Sequence, residues 1–248
     1  MAGHSKWANI KRQKARVDAK KGKTFTQLSR AIIVAARQGL PDPDANFQLR
    51  TAIDKAKAAG IPNENIERAI AKGTGTYVSE DSSNYEEIRY EGYGIGGVAI
   101  LIEALTDNRN RTAADLRSAF TKNGGNLGET GCVSWMFSQQ GVVKLAGIID
   151  EDALLEISLT TDVLNYEIFD DEAEVFTEIS NLENLHNLLK NNGFEVIESE
   201  LRWLPANTIE ISDPQQAQSV LKLLDVLESL DDVQNVTTNM VNTDLPYL

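Results

Sequence analysis

The spacing of apolar residues changes at one place in this chain, and that change restricts the fold more than any other feature. Up to Gly73, apolar residues recur every three or four positions, which is the spacing of amphipathic helices. A stretch rich in Gly, Ser, Thr and acids follows at 73–84, and beyond it strand-like segments alternate with helical ones. We therefore expect an α+β multidomain protein that begins with a helical bundle.

The bundle is expected to contain three helices. The first begins at Thr24, which has capping-box spacing to Gln27, and ends at Gly39. Two further amphipathic segments end at Gly60 and Gly73. These helices are long enough to bury one small apolar core between them.

Residues 141–204 follow the order strand, helix, strand, strand, helix, strand, which is that of a ferredoxin-like domain. The strand, helix and strand expected after Pro205 need a sheet, and joining them to the strands before residue 138 makes the ferredoxin-like domain an insertion. The predicted domains are a basic arm plus helical bundle at 1–75, a discontinuous middle α+β domain at 84–138 and 205–241, and the inserted ferredoxin-like domain at 139–204.

Charge is sorted along the chain although the whole has a net charge of −13. Residues 1–72 contain 15 Lys and Arg against 6 Asp and Glu, a net of +9, whereas residues 139–248 contain 4 against 22, a net of −18. Such asymmetry predicts one end that binds polyanions and another that rejects them. The alternative for the acidic half is that it only aids solubility.

Cations gather in an arm at 3–23. As a helix this arm would point its cations in nearly every direction around the axis, which suits a segment that orders on a polyanion. Trp7 either stacks on a base or packs with Ile10 in a thin apolar stripe. The candidate nucleic-acid-binding residues of the arm are His4, Lys6, Trp7, Lys11, Arg12, Lys14, Arg16, Lys20, Lys21 and Lys23.

A second candidate contact lies in "TDNRNRTAADLR", where a buried strand leads through a polar loop into a helix. Thr112 and Asp115 have capping-box spacing at the start of that helix. Arg109 and Arg111 would then lie beside free amides at the positive end of the helix dipole, an arrangement suited to phosphate. The alternative is that they pair with Asp107 or Asp115 and only fix the loop.

Few residues are available for catalysis, metals or cofactors. Cys132 is the one cysteine, so an intramolecular disulfide is excluded. His4 and His186 are the two histidines, so few residues are available as zinc ligands or as members of a catalytic triad. The G-x-G-x-x-G at 92–97 precedes a strand rather than a helix, which predicts a turn and no dinucleotide. We expect no enzyme, no metal and no cofactor.

No apolar run approaches the roughly 20 residues that cross a bilayer, and the start lacks the apolar core of a signal peptide. A cytoplasmic protein without a membrane partner is therefore expected. Farther along, "GCVSWMF" is predicted to be a strand with Trp135 and Phe137 in the core and Cys132 as a small buried residue.

Four separated stretches, in this order, resemble the YebC/PmpR family: "AGHSKWANIKRQKARVDAKKGKTFT", "DPDANFQLRTAIDKAKAAGIP", "YEGYGIGGVAILIEALTDNRNRTAADLR" and "KNGGNLGETGCVSWMFSQQGVV". The resemblance implies three domains in the order given above and no catalysis. Members of that family are DNA-binding transcriptional regulators, and others, including mitochondrial relatives, are translational activators that act at the ribosome. The family's basic opening falls on His4, Lys6, Trp7, Lys11, Arg12, Lys14 and Arg16, and its middle motif on Asn108, Arg109, Asn110, Arg111 and Thr112.

The leading hypothesis is a non-enzymatic regulator of gene expression that binds nucleic-acid backbone, of the DNA-binding transcriptional type. A translation factor associated with RNA or the ribosome remains open as an alternative, and so does a protein-binding adaptor. In the ribosomal case, the acidic half would contact ribosomal or other basic proteins. No zinc finger and no RNP signature is present in the sequence, so base-specific recognition is not expected.

Overall fold

Helices lead the chain and strands follow, as the change of spacing predicts. The computed structural model describes residues 21–77, 85–169 and 171–241, with side chains from Thr24 onward. The helices in these ranges are α1 (Lys21–Gln38), α2 (Phe47–Ala58), α3 (Asn63–Gly73), α4 (Arg109–Lys122), α5 (Glu151–Thr160), α6 (Leu182–Asn191) and α7 (Pro214–Glu228). The strands are β1 (Glu86–Tyr93), β2 (Ala99–Thr106), β3 (Asn126–Leu127), β4 (Phe137–Ala146), β5 (Val163–Phe169), β6 (Glu172–Thr177), β7 (Glu195–Pro205), β8 (Ile209–Glu210), β9 (Val233–Thr238) and β10 (Met240–Val241).

Helices α1, α2 and α3 pack through their apolar faces into a small bundle. The Asn46 side chain caps α2 by accepting the Leu49 backbone N–H at 3.0 Å, which satisfies a donor that the helix itself leaves free. The buried core of the bundle consists of Ile32, Ile33, Ala35, Ala36, Leu49, Ile53, Ala56, Ile61, Ile66 and Ala69. The helices are stabilised mainly by burying these apolar faces, which is why the helical spacing of apolar residues predicted them.

The start of α1 differs from the prediction. Lys21 is already helical, so Thr24 lies inside α1 and not at its N-cap. The Gln27 side chain donates to the backbone carbonyl of Val233, 206 residues away. The predicted capping box is therefore wrong here, because Thr24 is a residue of the helix itself and not its N-cap.

Two segments that are far apart in sequence form one sheet. The strand order is β3-β1-β2-β9, and β9 pairs antiparallel with β2, with Val236 opposite Ile102. Helices α4 and α7 supply the other half of its core, which contains Val98, Ile100, Ile102, Leu116, Ala119, Phe120, Val220, Leu223, Leu224, Leu227, Val233, Val236 and Met240. Gly92 is required beneath this core, since a Cβ there would lie 2.7 Å from the Phe120 ring.

The glycine-rich segment between β1 and β2 is a turn, as predicted. A short 3₁₀ turn, Ile95–Gly97, connects the strands, and Gly96 has a φ of 75°, which favours glycine. The element that follows is β2 and not a helix. The glycines therefore have a role in chain reversal, and the helix N-terminus of a dinucleotide site does not follow them.

The segment "GCVSWMF" is not the predicted strand. Residues Ser134–Met136 form a 3₁₀ turn, and β4 begins only at Phe137. Phe137 is buried as expected, but the prediction that Trp135 belongs to the core is wrong, since its side chain is 71% exposed. Cys132 is half-buried.

Residues Ser138–Leu204 form a compact unit of their own, and the remaining described residues form the other unit. The second unit follows the order β4-α5-β5-β6-α6-β7, and its sheet has the strand order β5-β6-β4-β7. This is the ferredoxin-like topology that the sequence predicts. The exact boundaries of the three predicted domains stay a prediction.

The α+β class is thus confirmed, with a helical bundle ahead of the sheets. Within residues 21–77, 85–169 and 171–241, every helix is either too short or too polar to cross a bilayer.

Candidate nucleic-acid interface

Most of the candidate contact residues lie in the arm, outside the described residues. These are His4, Lys6, Trp7, Lys11, Arg12, Lys14, Arg16 and Lys20. Lys21 and Lys23 belong to the first turn of α1, so the arm leads directly into that helix. The part of the candidate interface that the structure describes is therefore α1 and the second predicted contact, at the start of α4.

Asn108 is the N-cap residue of α4. Its side chain accepts the backbone N–H of Arg111 at 3.1 Å, and the helix begins at Arg109. The predicted capping box of Thr112 and Asp115 is wrong, because Thr112 is buried inside the helix and its hydroxyl bonds elsewhere. The two arginines consequently lie within the first turn of α4, where the helix dipole is positive.

Arg109 is the more exposed of the two arginines, with 66% of its side chain accessible. Its Nε lies 3.0 Å from Oε1 of Glu86, whose side chain is 44% exposed. An exposed pair of this kind contributes little to stability, about 0–1 kcal/mol. A phosphate oxygen can therefore replace Glu86 at small cost.

Arg111 is held more firmly. Its Nη2 lies 2.8 Å from Oδ1 of Asp107 and 2.9 Å from Oδ2 of Asp232. Hydrogen bonds to Asp232 and then to Asp107 raise the pKa of Arg111 further above its ordinary value, so the guanidinium stays charged. All of these contacts use Nη2, and 47% of the side chain is exposed.

Asp232 is the buried centre of this site, with only 5% of the residue exposed. Its Oδ2 accepts hydroxyl hydrogen bonds from Thr112 at 2.7 Å and from Thr106 at 3.1 Å. Burial alone would favour the protonated form, but these hydrogen bonds and the Arg111 charge lower the pKa of Asp232 below its ordinary value. Asp232 is therefore a charged, fully engaged carboxylate.

The same carboxylate also binds α1. Nη1 of Arg30 lies 2.9 Å from Oδ1 of Asp232 and donates to the backbone carbonyl of Asp231 at 2.7 Å. The Arg30 guanidinium also lies over the Tyr85 ring, 5.1 Å from its centre. We call Arg30, Thr106, Asp107, Arg111, Thr112 and Asp232 the Asp232 cluster.

The Asp232 cluster joins α1, the helix that continues the arm, to the first turn of α4, which carries Arg109 and Arg111. Sequence reasoning missed Asp232 and Arg30, which are 202 residues apart. No local pattern marks such a pair, and Asp232 is one of 22 acids between residues 139 and 248. Of the two acids considered as partners of Arg111, Asp107 is the one that pairs with it among the described residues.

The chemistry of this site is that of charge pairing. Its donors are guanidinium groups and threonine hydroxyls, which bind carboxylates and phosphates, and its acids are occupied by these donors. In the described part of the chain, no three His, Cys, Asp or Glu residues come together in a way that would hold a metal ion.

Two family models match the chain and together cover most of it. The "TACO1/YebC protein N-terminal domain" matches residues 5–76, and the "TACO1/YebC second and third domain" matches residues 85–240. The first match includes most of the arm and the whole bundle, and the second includes Arg109, Arg111 and Asp232.

Proteins from two other organisms are similar over nearly the whole chain. A "probable transcriptional regulatory protein" of Gloeothece citriformis is 73% identical over 248 residues, covering 98% of this chain and 97% of that protein. One of the same description from Nostoc sp. is 73% identical over 240 residues, covering 96% and 95%.

A solved structure has the same fold. The crystal structure of a conserved hypothetical protein from Aquifex aeolicus matches with a TM-score of 0.83 and 42% identity, covering 93% of this chain and 94% of that one.

Proposed function

The chain belongs to the TACO1/YebC family, and from this we propose that it is a non-enzymatic, nucleic-acid-binding regulator of gene expression that acts in the cytoplasm. The relatives named as probable transcriptional regulatory proteins support the regulatory role. We propose DNA as the first candidate target on the same ground.

One observation carries the proposal: the Asp232 cluster connects α1, the helix that follows the basic arm, to the first turn of α4, which presents Arg109 and Arg111. Since Arg30 and Arg111 share Asp232, α1 and the start of α4 keep a fixed spacing. The arm then supplies most of the cations, and Arg109 and Arg111 supply a second contact to the same phosphate backbone.

The second unit is unsuited to nucleic acid. Its 67 residues, 138–204, contain 15 Asp and Glu against 3 Lys and Arg, a net of −12. Two of those cations form ion pairs within the unit: Lys144 with Glu172 at 2.7 Å, and Arg202 with Glu174 at 2.9 Å. We propose that this unit faces basic proteins, or water, and keeps polyanions on the other unit.

Binding should be mainly electrostatic and should therefore weaken steeply with salt. If about six phosphates of a duplex are neutralised, the logarithm of the binding constant falls with the logarithm of salt concentration at a slope of roughly −5. Fluorescence anisotropy with a labelled 30-base-pair duplex at several salt concentrations measures this slope. A flat salt response would contradict the proposal.

Charge reversal locates the contact. Replacing Lys11, Arg12, Lys14 and Arg16 with Glu should abolish binding and leave the amide exchange of the bundle unchanged. The matched control replaces four exposed cations outside the arm with Glu, which changes the net charge equally: Arg117, Lys122, Lys190 and Lys222. If both variants lose binding to the same extent, net charge and not the arm is responsible.

A translation factor that binds ribosomal RNA is the second candidate, and the acidity of the second unit favours it. A chain that has both an acidic unit and a basic arm fits a ribosome, where basic proteins and RNA are neighbours. Crosslinking in living cells followed by sequencing separates the two targets: promoter DNA supports the first candidate and ribosomal RNA the second. Large complexes that survive complete nuclease digestion would instead favour a protein-binding adaptor.

A further inference from the structure

A loop in the first unit is built around a buried carboxylate. Glu91 of β1 is only 3% exposed, and its two oxygens accept backbone N–H groups from Gly131 at 2.7 Å, Val133 at 2.6 Å and Ser134 at 2.8 Å. We call residues 128–136 the Glu91 loop. Because their N–H groups bind this carboxylate, these residues do not extend β4, which is why the predicted strand fails to form.

Burial opposes the charge on Glu91, yet the three backbone hydrogen bonds outweigh that effect and lower the pKa of its carboxyl group. The loop is compact elsewhere as well, since a Cβ on Gly128 would lie 2.5 Å from the Cys132 sulfur. The conformation of the loop is therefore fixed by several independent contacts.

This fixed loop presents an exposed tryptophan. Trp135 is 71% exposed, and its indole N–H donates to the backbone carbonyl of Cys132 at 3.1 Å. The Tyr93 hydroxyl donates to the same carbonyl at 2.8 Å. The ring is thus oriented before any ligand arrives, so binding would cost little side-chain entropy.

The surroundings of Trp135 indicate what kind of partner fits. Its only polar atom is already engaged, so the ring offers a flat π-surface without a hydrogen-bond donor. The other exposed residues of the Glu91 loop, Glu129, Thr130 and Gly131, are polar or small, and the adjacent Met136 is partly buried, so the exposed residues of the loop do not form an apolar run. A protein partner would need a wider apolar area to bury, whereas a planar base needs only the ring.

We propose that Trp135 is a stacking platform for an unpaired base of the nucleic acid that the arm binds. This inference rests on the proposed function. It extends that function from backbone contact alone to single-stranded segments, and it predicts little preference among bases because every base has a π-face.

Tryptophan fluorescence tests the contact directly. In a W7F/W203F background Trp135 is the one remaining tryptophan, so its emission reports on its own environment. Because Trp7 is itself a candidate contact, the strand is added at concentrations that saturate this background, as measured by anisotropy. A twelve-nucleotide single strand should quench this emission, whereas a phosphodiester strand of equal length without bases, and a blunt duplex, should not. Equal quenching by the strand without bases would overturn the proposal.

Affinity provides the second measurement. Trp135→Ala should weaken binding of the base-containing strand about 5- to 150-fold, which corresponds to the loss of one stacked base, and should not affect binding of the abasic strand. Trp135→Phe should retain part of the affinity. Glu91→Gln should weaken the same strand although Trp135 is present, because the ring is no longer held in place.

The two hypotheses fail in different ways. If the wild-type protein binds both strands and Trp135→Ala changes neither affinity, the platform is refuted and the proposed function stands. If the wild-type protein binds no strand and no duplex, the proposed function itself is refuted. If Trp135→Ala removes only a protein from pull-downs, the surface serves a protein partner and the stacking proposal is wrong.

Discussion

The first unit buries two carboxylates, Asp232 and Glu91, and holds them in different ways. Asp232 binds side chains from separate elements: Arg30 of α1, Thr106 of β2, and Thr112 of α4. Glu91 binds three backbone N–H groups of one loop. Asp232 therefore determines how elements lie relative to each other, whereas Glu91 determines the shape of a single loop.

The two carboxylates also differ in the surface feature that each one holds in place. The side-chain donors around Asp232 include Arg111, whose side chain is 47% exposed. The backbone donors around Glu91 face inward, and the exposed feature they produce is the ring of Trp135. One carboxylate thus organises charge, and the other organises an aromatic surface.

The largest expected effect comes from removing Asp232. Asp232→Ala leaves Arg30 charged with only 13% of its side chain exposed, and it should cost about 3–5 kcal/mol of stability. The loss should appear as faster amide exchange in both α1 and the first turn of α4. Asp231→Asn is the control, because Arg30 uses the Asp231 backbone carbonyl, and it should stay within about 0.5 kcal/mol.

Removing the Glu91 charge should have a smaller and more local effect. Glu91→Gln cannot serve all three N–H groups, and one buried donor left unsatisfied costs roughly 1–3 kcal/mol. Amide exchange should increase at Gly131, Val133 and Ser134, with no change in α1. An equal increase in amide exchange in α1 and in the Glu91 loop would show that the two carboxylates do not act separately. Glu129→Gln, at an exposed site, is the control.

Acid should weaken both sites in the same direction. The pKa values of Asp232 and Glu91 are lowered on folding, so the unfolded chain binds more protons and stability rises with pH in this range. Their contributions are present above about pH 4 and decline as pH falls through the folded values. Urea midpoints between about pH 5 and pH 2 should fall less steeply in Asp232→Asn and Glu91→Gln than in the wild type.

The smallest effect on stability is expected at Arg109. Its pair with Glu86 is exposed, so Arg109→Ala should change stability by less than about 1 kcal/mol. The same substitution should reduce the salt slope of nucleic-acid binding by about one. Arg117→Ala, also exposed on α4, is the control and should leave the slope unchanged. An unchanged slope in Arg109→Ala would remove that residue from the interface.

Local signals predicted the elements well and their side-chain partners poorly. Apolar spacing predicted the helices of the bundle and the ferredoxin-like order, because one buried face repeats along each element. Capping-box spacing at Thr24 and at Thr112 failed, because both threonines lie inside their helices and the Thr112 hydroxyl bonds to Asp232, 120 positions away. The spacing alone cannot show that a side chain is already taken by a distant partner.

For the candidate site, the sequence likewise indicated some residues and misplaced others. Charge counting and the motif around Arg109 and Arg111 pointed to polyanion contacts, and these residues remain proposals. Trp135 was misplaced, since an apolar residue flanked by strand-forming residues favours a buried strand. Only the contact between Glu91 and the loop backbone reversed that expectation.

The sequence by itself determined the fold class, the order of elements and the division of charge, because periodicity and composition act over short distances. The tertiary structure decided which charges meet. Asp232 gathers Arg30 and Arg111 across about 200 and 120 positions of chain. A buried carboxylate must find donors wherever the fold brings them, since an unpaired charge is too costly to bury, and no local pattern records where those donors come from.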